Sequence, residues 1–366
     1  MSILHIYLLL FGISLICSGI YFWRWHKHID IAYTMMYLLT PLLTIGYVFM
    51  AAAGDLGEML MAVRIVYLCA IFLELVMTLN ILSLCKIRLP KAVTFAITVC
   101  GCLLYMGVLT IGRYPYFYKN VSIRGTNADG MLLLDKEYGF MHTLFYVWIF
   151  TLIFISLGVL IYARCKIPEA SIKITSLLLL TEVVTVFAHS YGKYIGGEFE
   201  MAAPSFIISG IIYLIIVDKT CLYDVDDTVI DTLIEQGSTG YLTFDFSHNY
   251  LGSTVMAKKL LPQLKVAQVD KPLKNTELHD KVEEWLADFN KDEVSRDLYD
   301  KYNGRIYLVR VRYLYDGIRK RGYQIEIFDD TSHREYLASI EAYNQNLKEE
   351  LAKKNRLIEE LREKNH

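Results

Sequence analysis

Basic charge is not in excess in this sequence: 37 Lys and Arg face 39 Asp and Glu, for a net charge of −2. A surface that tracks phosphates needs a basic face or stripe, so no nucleic-acid partner is expected. Cysteine is scarce at seven residues, and the seven show no metal-ligand spacing. Cys17, Cys69, Cys100 and Cys102 lie in apolar runs, whereas Cys85, Cys165 and Cys221 sit beside basic residues. None falls where an extracellular segment is expected, which excludes a disulfide framework. The Cys100-Gly101-Cys102 pair reads as two small packing residues. The first apolar run, 3–23, is expected to be a retained helix rather than a cleavable leader. No basic residue precedes the apolar run that begins at Ile3, and Arg24 and Lys27 follow it, the reverse of a signal peptide's charge order. Finally, long apolar runs stop at residue 217, although 54% of the chain is hydrophobic.

What is present before residue 217 is a series of seven apolar stretches: 3–23, 31–53, 61–85, 92–112, 140–163, 174–192 and 201–217. Each approaches the roughly 20 residues needed to cross about 30 Å of hydrocarbon. The connections 24–30, 86–91 and 164–173 hold eight Lys or Arg: Arg24, Lys27, Lys86, Arg88, Lys91, Arg164, Lys166 and Lys173. The connections 54–60, 113–139 and 193–200 hold five. The positive-inside rule puts the first set in the cytoplasm, the N-terminus outside and everything after Asp218 inside. A multi-pass protein of the cell (inner) membrane is expected, with the lipid bilayer as its first partner.

The outer connection 113–139 has structure of its own. Tyr114, Tyr116, Phe117 and Tyr118 lead into alternating Val121 and Ile123, then the turn sequence Asn127-Ala128-Asp129-Gly130, then Met131 to Leu134. Two β-prone runs around an Asp-Gly turn predict a hairpin lying over the outer mouth of the bundle.

Ionisable residues inside membrane spans are costly, so they are candidates for function. Glu74, mid-way along the third span, and Glu182, mid-way along the sixth, have similar depth and are expected to meet, as holders of a shared proton, a cation or a basic ligand group. Arg64, His189, Ser190 and Tyr191 lie nearer the outer end, where an outward-facing polar cluster would have the acidic pair as its floor. Glu74, Glu182, Arg64, His189 and Tyr191 are the ligand-binding candidates. The competing expectation is structural: Thr181 or Thr185 bonds to Glu182, while Arg64 and His189 snorkel to the interface.

Four stretches stand out within residues 1–225: 116–122 (Tyr-Phe-Tyr-Lys-Asn-Val-Ser), Glu137-Tyr138-Gly139, 203–206 (Ala-Pro-Ser-Phe) and the exit at 217–224 (Val-Asp-Lys-Thr-Cys-Leu-Tyr-Asp). In their order and spacing, with seven spans and a hairpin between the fourth and fifth, they resemble the N-terminal seven-helix sensor region of histidine kinases. The resemblance implies signal input without naming the signal, which is an unknown small molecule or ion. It also implies PAS domains and a kinase, cyclase or phosphodiesterase module downstream.

The later half reads as a soluble α+β domain. A short amphipathic helix holds Val229, Ile230, Leu233 and Ile234, and a strand covers 240–246. A turn at Ser247-His248-Asn249 follows, then helical segments over 255–262 and 275–290. Two strong strands cover 305–315 and 322–328, the first with Tyr307, Val309, Val311 and Tyr313 on one face and Arg310 and Arg312 on the other. This order resembles a PAS domain over 225–331, and Phe328-Asp329-Asp330-Thr331 matches the acidic-x-Thr ending from which PAS domains enter an output helix. His248 and His279 have polar settings unlike those of a haem ligand, and no Cys lies between 228 and 331. No cofactor is required by the sequence.

Residues 332–366 carry a heptad pattern. Leu337, Asn344, Leu351 and Ile358 fall at position a, and Ile340, Leu347, Lys354 and Leu361 at d. Six of these eight seam positions are apolar, and an Asn at a favours a parallel dimer in fixed register. Leu337, Ile340, Asn344, Leu347, Leu351, Ile358 and Leu361 are therefore expected to pair with a second copy.

Catalytic motifs are missing. His333 is followed by Arg334-Glu335 rather than an acidic residue and Arg-Thr-Pro, and neither a glycine-rich nucleotide loop nor a Gly-Gly-Asp-Glu-Phe motif occurs. The expected whole is a multi-domain, non-enzymatic membrane receptor: a seven-helix transmembrane bundle (1–217), a cytoplasmic α+β PAS-like domain and a C-terminal parallel coiled coil that controls an output module. An ion- or proton-coupled transporter or channel, with Glu74 and Glu182 as the path, is the rival expectation. A third is a membrane scaffold recruiting a separate signalling enzyme. The chain stops on a helix of the sort that feeds an output domain, so both a fragment of a longer receptor and a protein acting through partners stay open.

Overall fold

A bilayer core offers no water to backbone polar groups, so a chain crossing it must satisfy them internally. The computed structural model meets this with helices. It describes residues 2–23, 31–87, 89–168, 170–194, 199–223, 239–274, 276–292, 295, 297–316 and 319–364. The first unit, which runs to Cys221, contains α1 (Ile3–Trp23), α2 (Ile31–Ala52), α3 (Leu56–Leu84), α4 (Lys91–Leu109), α5 (Phe140–Lys166), α6 (Ile172–Tyr194) and α7 (Ala202–Tyr223). Six of these are long and apolar enough to span a membrane, and α7 holds a shorter apolar stretch, Ala202–Val217. All seven expected spans are therefore helical.

Their boundaries depart from the apolar runs where caps intervene. α3 starts at Leu56 rather than 61 because Asp55 caps it, accepting a hydrogen bond from Glu58 N at 2.8 Å, while the Glu58 carboxylate accepts from Gly54 N. Side-chain acceptors at this position satisfy donors left free by the first turn. α4 ends at Leu109, before the expected 112, because residues 110–113 form turns with Gly112 at φ 78°.

α2 carries an internal proline, Pro41. A proline has no N–H for the carbonyl four residues back, here that of Tyr37. Ser18 of α1 replaces the missing donor: its Oγ donates to Tyr37 O at 2.6 Å. The neighbouring Ser14 and Thr44 hydroxyls lie 3.0 Å apart, and the Tyr37 hydroxyl donates to Gly210 O on α7 at 2.9 Å. Polar pairs thus tie α1, α2 and α7 where apolar contact alone would not set register.

α3 is the central helix. Every residue from Leu73 to Thr78 is buried, so neighbours enclose it on all sides. α4 approaches through Gly101, whose missing side chain leaves room for Phe72 and Ile71 of α3 and Trp148 of α5. This corrects the expectation for Cys100 and Cys102: both are exposed on this chain, and the glycine between them is the packing residue.

Between α4 and α5 the expected hairpin is present: β1 (Tyr118–Thr126) pairs antiparallel with β2 (Leu132–Tyr138). Asn127 Oδ1 accepts from Asp129 N and Met131 N, closing the turn, and Gly130 takes φ 84°. The tip is anchored to the start of α1, where Ile3 N donates to Asp129 Oδ2 at 2.9 Å. A carboxylate suits the free N–H groups and positive dipole end there.

The second unit contains β3 (Thr239–Asp245), β4 (Tyr250–Ser253), α8 (Val255–Leu260), a 3-10 turn (Pro262–Val266), α9 (Thr276–Asp292), β5 (Leu298–Tyr302), β6 (Arg305–Asp316), β7 (Arg319–Asp329) and a C-terminal helix, Thr331–Lys364. The strands form one sheet in the order β4-β3-β7-β6-β5, antiparallel throughout. The apolar stripe of α9, Leu278, Val282, Trp285, Leu286 and Phe289, is buried, as are Leu242, Phe244, Val309, Val311, Ile325 and Ile327 of the sheet. The spacing of that stripe is that of one helix face. Gly240 lets α8 approach: a Cβ there would meet the Ala257 backbone at 2.7 Å. β4 and β5 were not expected; both are short edge strands. The amphipathic helix expected around Val229, Ile230, Leu233 and Ile234 lies outside the described residues, as do the side chains of Cys221, Ile358 and Leu361.

Candidate functional site

Glu74 on α3 and Glu182 on α6 are both completely buried and interact electrostatically, so the two mid-depth carboxylates do come together. None of their four carboxylate oxygens has a hydrogen-bond partner. The hydroxyls expected to serve them are occupied elsewhere. Thr181 donates to Leu178 O at 2.7 Å and Thr185 to Thr181 O at 3.0 Å. Thr78 donates to Glu74 O at 3.0 Å, Ser156 to Thr78 Oγ1 at 3.1 Å, and Tyr213 to Met77 O at 3.3 Å. A hydroxyl has one proton to give, so all five are committed to acceptors other than the carboxylates. Tyr213 on α7 lies within electrostatic range of both glutamates, with Tyr33 of α2 set edge-on at 5.6 Å between ring centroids. One turn before Tyr213, the Ser209 hydroxyl is buried without a partner.

The outward cluster built on Arg64 is not assembled. Arg64 Nη2 donates to Ile111 O at 2.6 Å, taking a carbonyl just beyond the C-terminal end of α4, where a cation is favoured. Among the described residues it makes no hydrogen bond or ion pair with His189 or Tyr191. His189 Nε2 is buried without a partner, and Tyr191 packs its ring at 6.0 Å from Phe187 on its own helix.

A different group gathers at the hairpin end of the bundle, and sequence reasoning missed it. Tyr7 of α1 stacks between Tyr47 of α2 and Phe199, at centroid distances of 5.3 and 5.2 Å, and its hydroxyl accepts from Glu200 N at 3.1 Å. The Tyr67 and Tyr118 hydroxyls lie 2.9 Å apart, and His142 stacks on Tyr138 at 3.9 Å. The exposed Glu200 carboxylate is within electrostatic range of Tyr7, Tyr47, Tyr118, Tyr138 and Tyr146, and of Lys136 on β2. Burial lowers the affinity of the Lys136 ammonium for its proton, and Glu200 partly offsets this. One anion, one cation and a wall of tyrosine rings can hold a polar or charged small molecule, since ring faces attract cations. The available signal was the run of aromatics at 114–118 and the 27 tyrosines of the chain.

The family described as the N-terminal 7TM region of histidine kinase matches residues 7–225. The chain belongs to that family. Its 7TM region contains both the Glu74–Glu182 pair and the tyrosine cluster around Glu200, and the match ends before β3 begins. Residues 7–225 are thus the sensor region of a membrane sensor. No curated protein matches the chain.

Proposed function

We propose that the chain is a membrane signal receptor that passes a stimulus from its seven helices to a cytoplasmic PAS-like domain and a dimeric coiled coil, which controls an output module. The observation that carries this is the junction between sheet and C-terminal helix. Thr331, at the first turn of that helix, donates its hydroxyl to Asp329 Oδ1 at 2.6 Å and accepts from Ile306 N of β6 at 3.0 Å. Asp329 is also held by Arg305 Nη1 at 2.9 Å, and Arg334 covers the Tyr299 ring of β5 at 3.6 Å. The helix is thereby bonded to three strands, so a change in the sheet must move it or break these bonds.

The sheet order and the helices between β4 and β5 support the PAS-like reading. The dimer is supported by Leu337, Ile340, Leu347 and Leu351, all exposed on a lone helix at a and d spacing, with Asn344 among them. Covering that apolar seam with a second copy is the usual remedy. Two receptors sharing one membrane present their helices in parallel. The positive-inside count supports a cytoplasmic placement of this half in the cell (inner) membrane, and the receptor acts on its output by changing shape rather than by chemistry of its own.

Single cysteines placed at successive positions from 337 to 351, in a cysteine-free chain, test the dimer in native membranes. Disulfide yield should peak at 337, 340, 344, 347 and 351 and fall between them. A flat profile would exclude the parallel coiled coil.

A further inference from the structure

We infer that Glu74 and Glu182, with the Ser209 hydroxyl, form an intramembrane binding site for a metal cation that takes oxygen ligands. The argument rests on an inventory of donors and acceptors. Around the pair, the hydroxyl protons of Thr78, Ser156, Thr181, Thr185 and Tyr213 are all given to backbone or hydroxyl oxygens. What is left pointing elsewhere are acceptors: four carboxylate oxygens and the lone pairs of these hydroxyls. Ser209 adds a buried, unpartnered oxygen on the α7 face that also carries Tyr213. Four unpartnered carboxylate oxygens outnumber the one uncommitted hydroxyl proton nearby, that of Ser209, and such an excess of acceptors is complementary to a cation. Leaving such carboxylates charged and unpaired in a dry interior is strongly unfavourable.

The enclosure narrows the class. Both glutamates have 0% exposure, and so does Ser209, which leaves no open face for an organic ammonium. Among the described residues no group of three or more His, Cys, Asp or Glu side chains could hold a metal, so the soft or imidazole sets of zinc and copper are not offered. Carboxylate and hydroxyl oxygens suit sodium, magnesium or calcium. The pair joins α3 to α6, with Tyr213 of α7 alongside. A bound cation would therefore favour one packing of those helices over another, as a ligand with differential affinity must. This consequence rests on the sensor reading; the site itself does not.

The test uses the full chain in lipid nanodiscs at pH 8, with choline chloride as the reference salt. The thermal unfolding midpoint is followed as NaCl, KCl, MgCl2 or CaCl2 replaces choline at constant ionic strength. One of these cations should leave the midpoint unchanged well below its Kd and raise it with the logarithm of concentration above it. Glu74→Gln and Glu182→Gln should each weaken the apparent affinity at least tenfold. Direct binding of the radiolabelled cation to the unaltered chain removes dependence on how well the variants fold. Equal midpoints in all five salts, with only pH shifting stability, would mean that protons alone neutralise the pair and would overturn the proposal. Cation binding with an unchanged coiled-coil crosslinking profile would uphold the site and overturn only its link to signalling.

Discussion

The Ser18 hydroxyl of α1 donates to the Tyr37 carbonyl of α2, the one acceptor that Pro41 leaves without its helical donor. Ser18→Ala therefore strands a buried carbonyl and should cost about 1–3 kcal/mol. Pro41→Ala restores an N–H four residues after Tyr37. The double variant Ser18→Ala/Pro41→Ala should recover most of the loss in thermal unfolding of the full chain. Additive losses would show that the hydroxyl does not serve the proline gap.

The hairpin rests on Asn127, whose side chain accepts two backbone N–H groups. Asn127→Ala should remove about 0.5–1.5 kcal/mol for each bond and raise amide exchange across β1 and β2. Exchange in α3 should stay unchanged. Equal exchange in the hairpin of both proteins would show that the cross-strand pairs close the turn without Asn127.

The junction of sheet and C-terminal helix should weaken in acid. Burial raises the Asp329 carboxyl, but the Thr331 hydroxyl and N–H and the Arg305 guanidinium outweigh it and hold the group below the usual 3.8. A carboxylate depressed in the folded state contributes stability above its unfolded value and loses it as pH falls through the folded one. Protection of the Ile306 and Thr331 amides from exchange, relative to the unstructured chain at the same pH, should be high at neutral pH and fall as pH drops below 3.8. In Asp329→Asn that protection should be lower at neutral pH and vary less with acid.

Much of the architecture was legible from the sequence. Seven apolar runs and the Asn127–Gly130 turn are strong local signals, and equal depth along two spans was enough to bring Glu74 and Glu182 together. The misses have physical causes. β4 (Tyr-Leu-Gly-Ser) and β5 (Leu-Tyr-Asp-Lys-Tyr) are short edge strands of four and five residues, too short to carry a clear hydrophobic alternation. Arg64 was paired by depth alone, but a helix C-terminal carbonyl is a local partner that a depth argument does not see. The Tyr7, Lys136 and Glu200 cluster draws on α1, β2 and the segment before α7, a convergence that only the fold creates. Pro41 was visible as a residue; its compensating Ser18 was not.

The proposed signalling route from the seven helices to the C-terminal helix runs through the five-stranded sheet. Its most direct measurement is the crosslinking profile at 337–351 in membranes, compared among the unaltered chain, Glu200→Gln and Glu200→Gln/Thr331→Val. Glu200→Gln should shift the profile by a position or change its amplitude, and Thr331→Val should abolish this response while the dimer persists. A profile identical in all three proteins would contradict it.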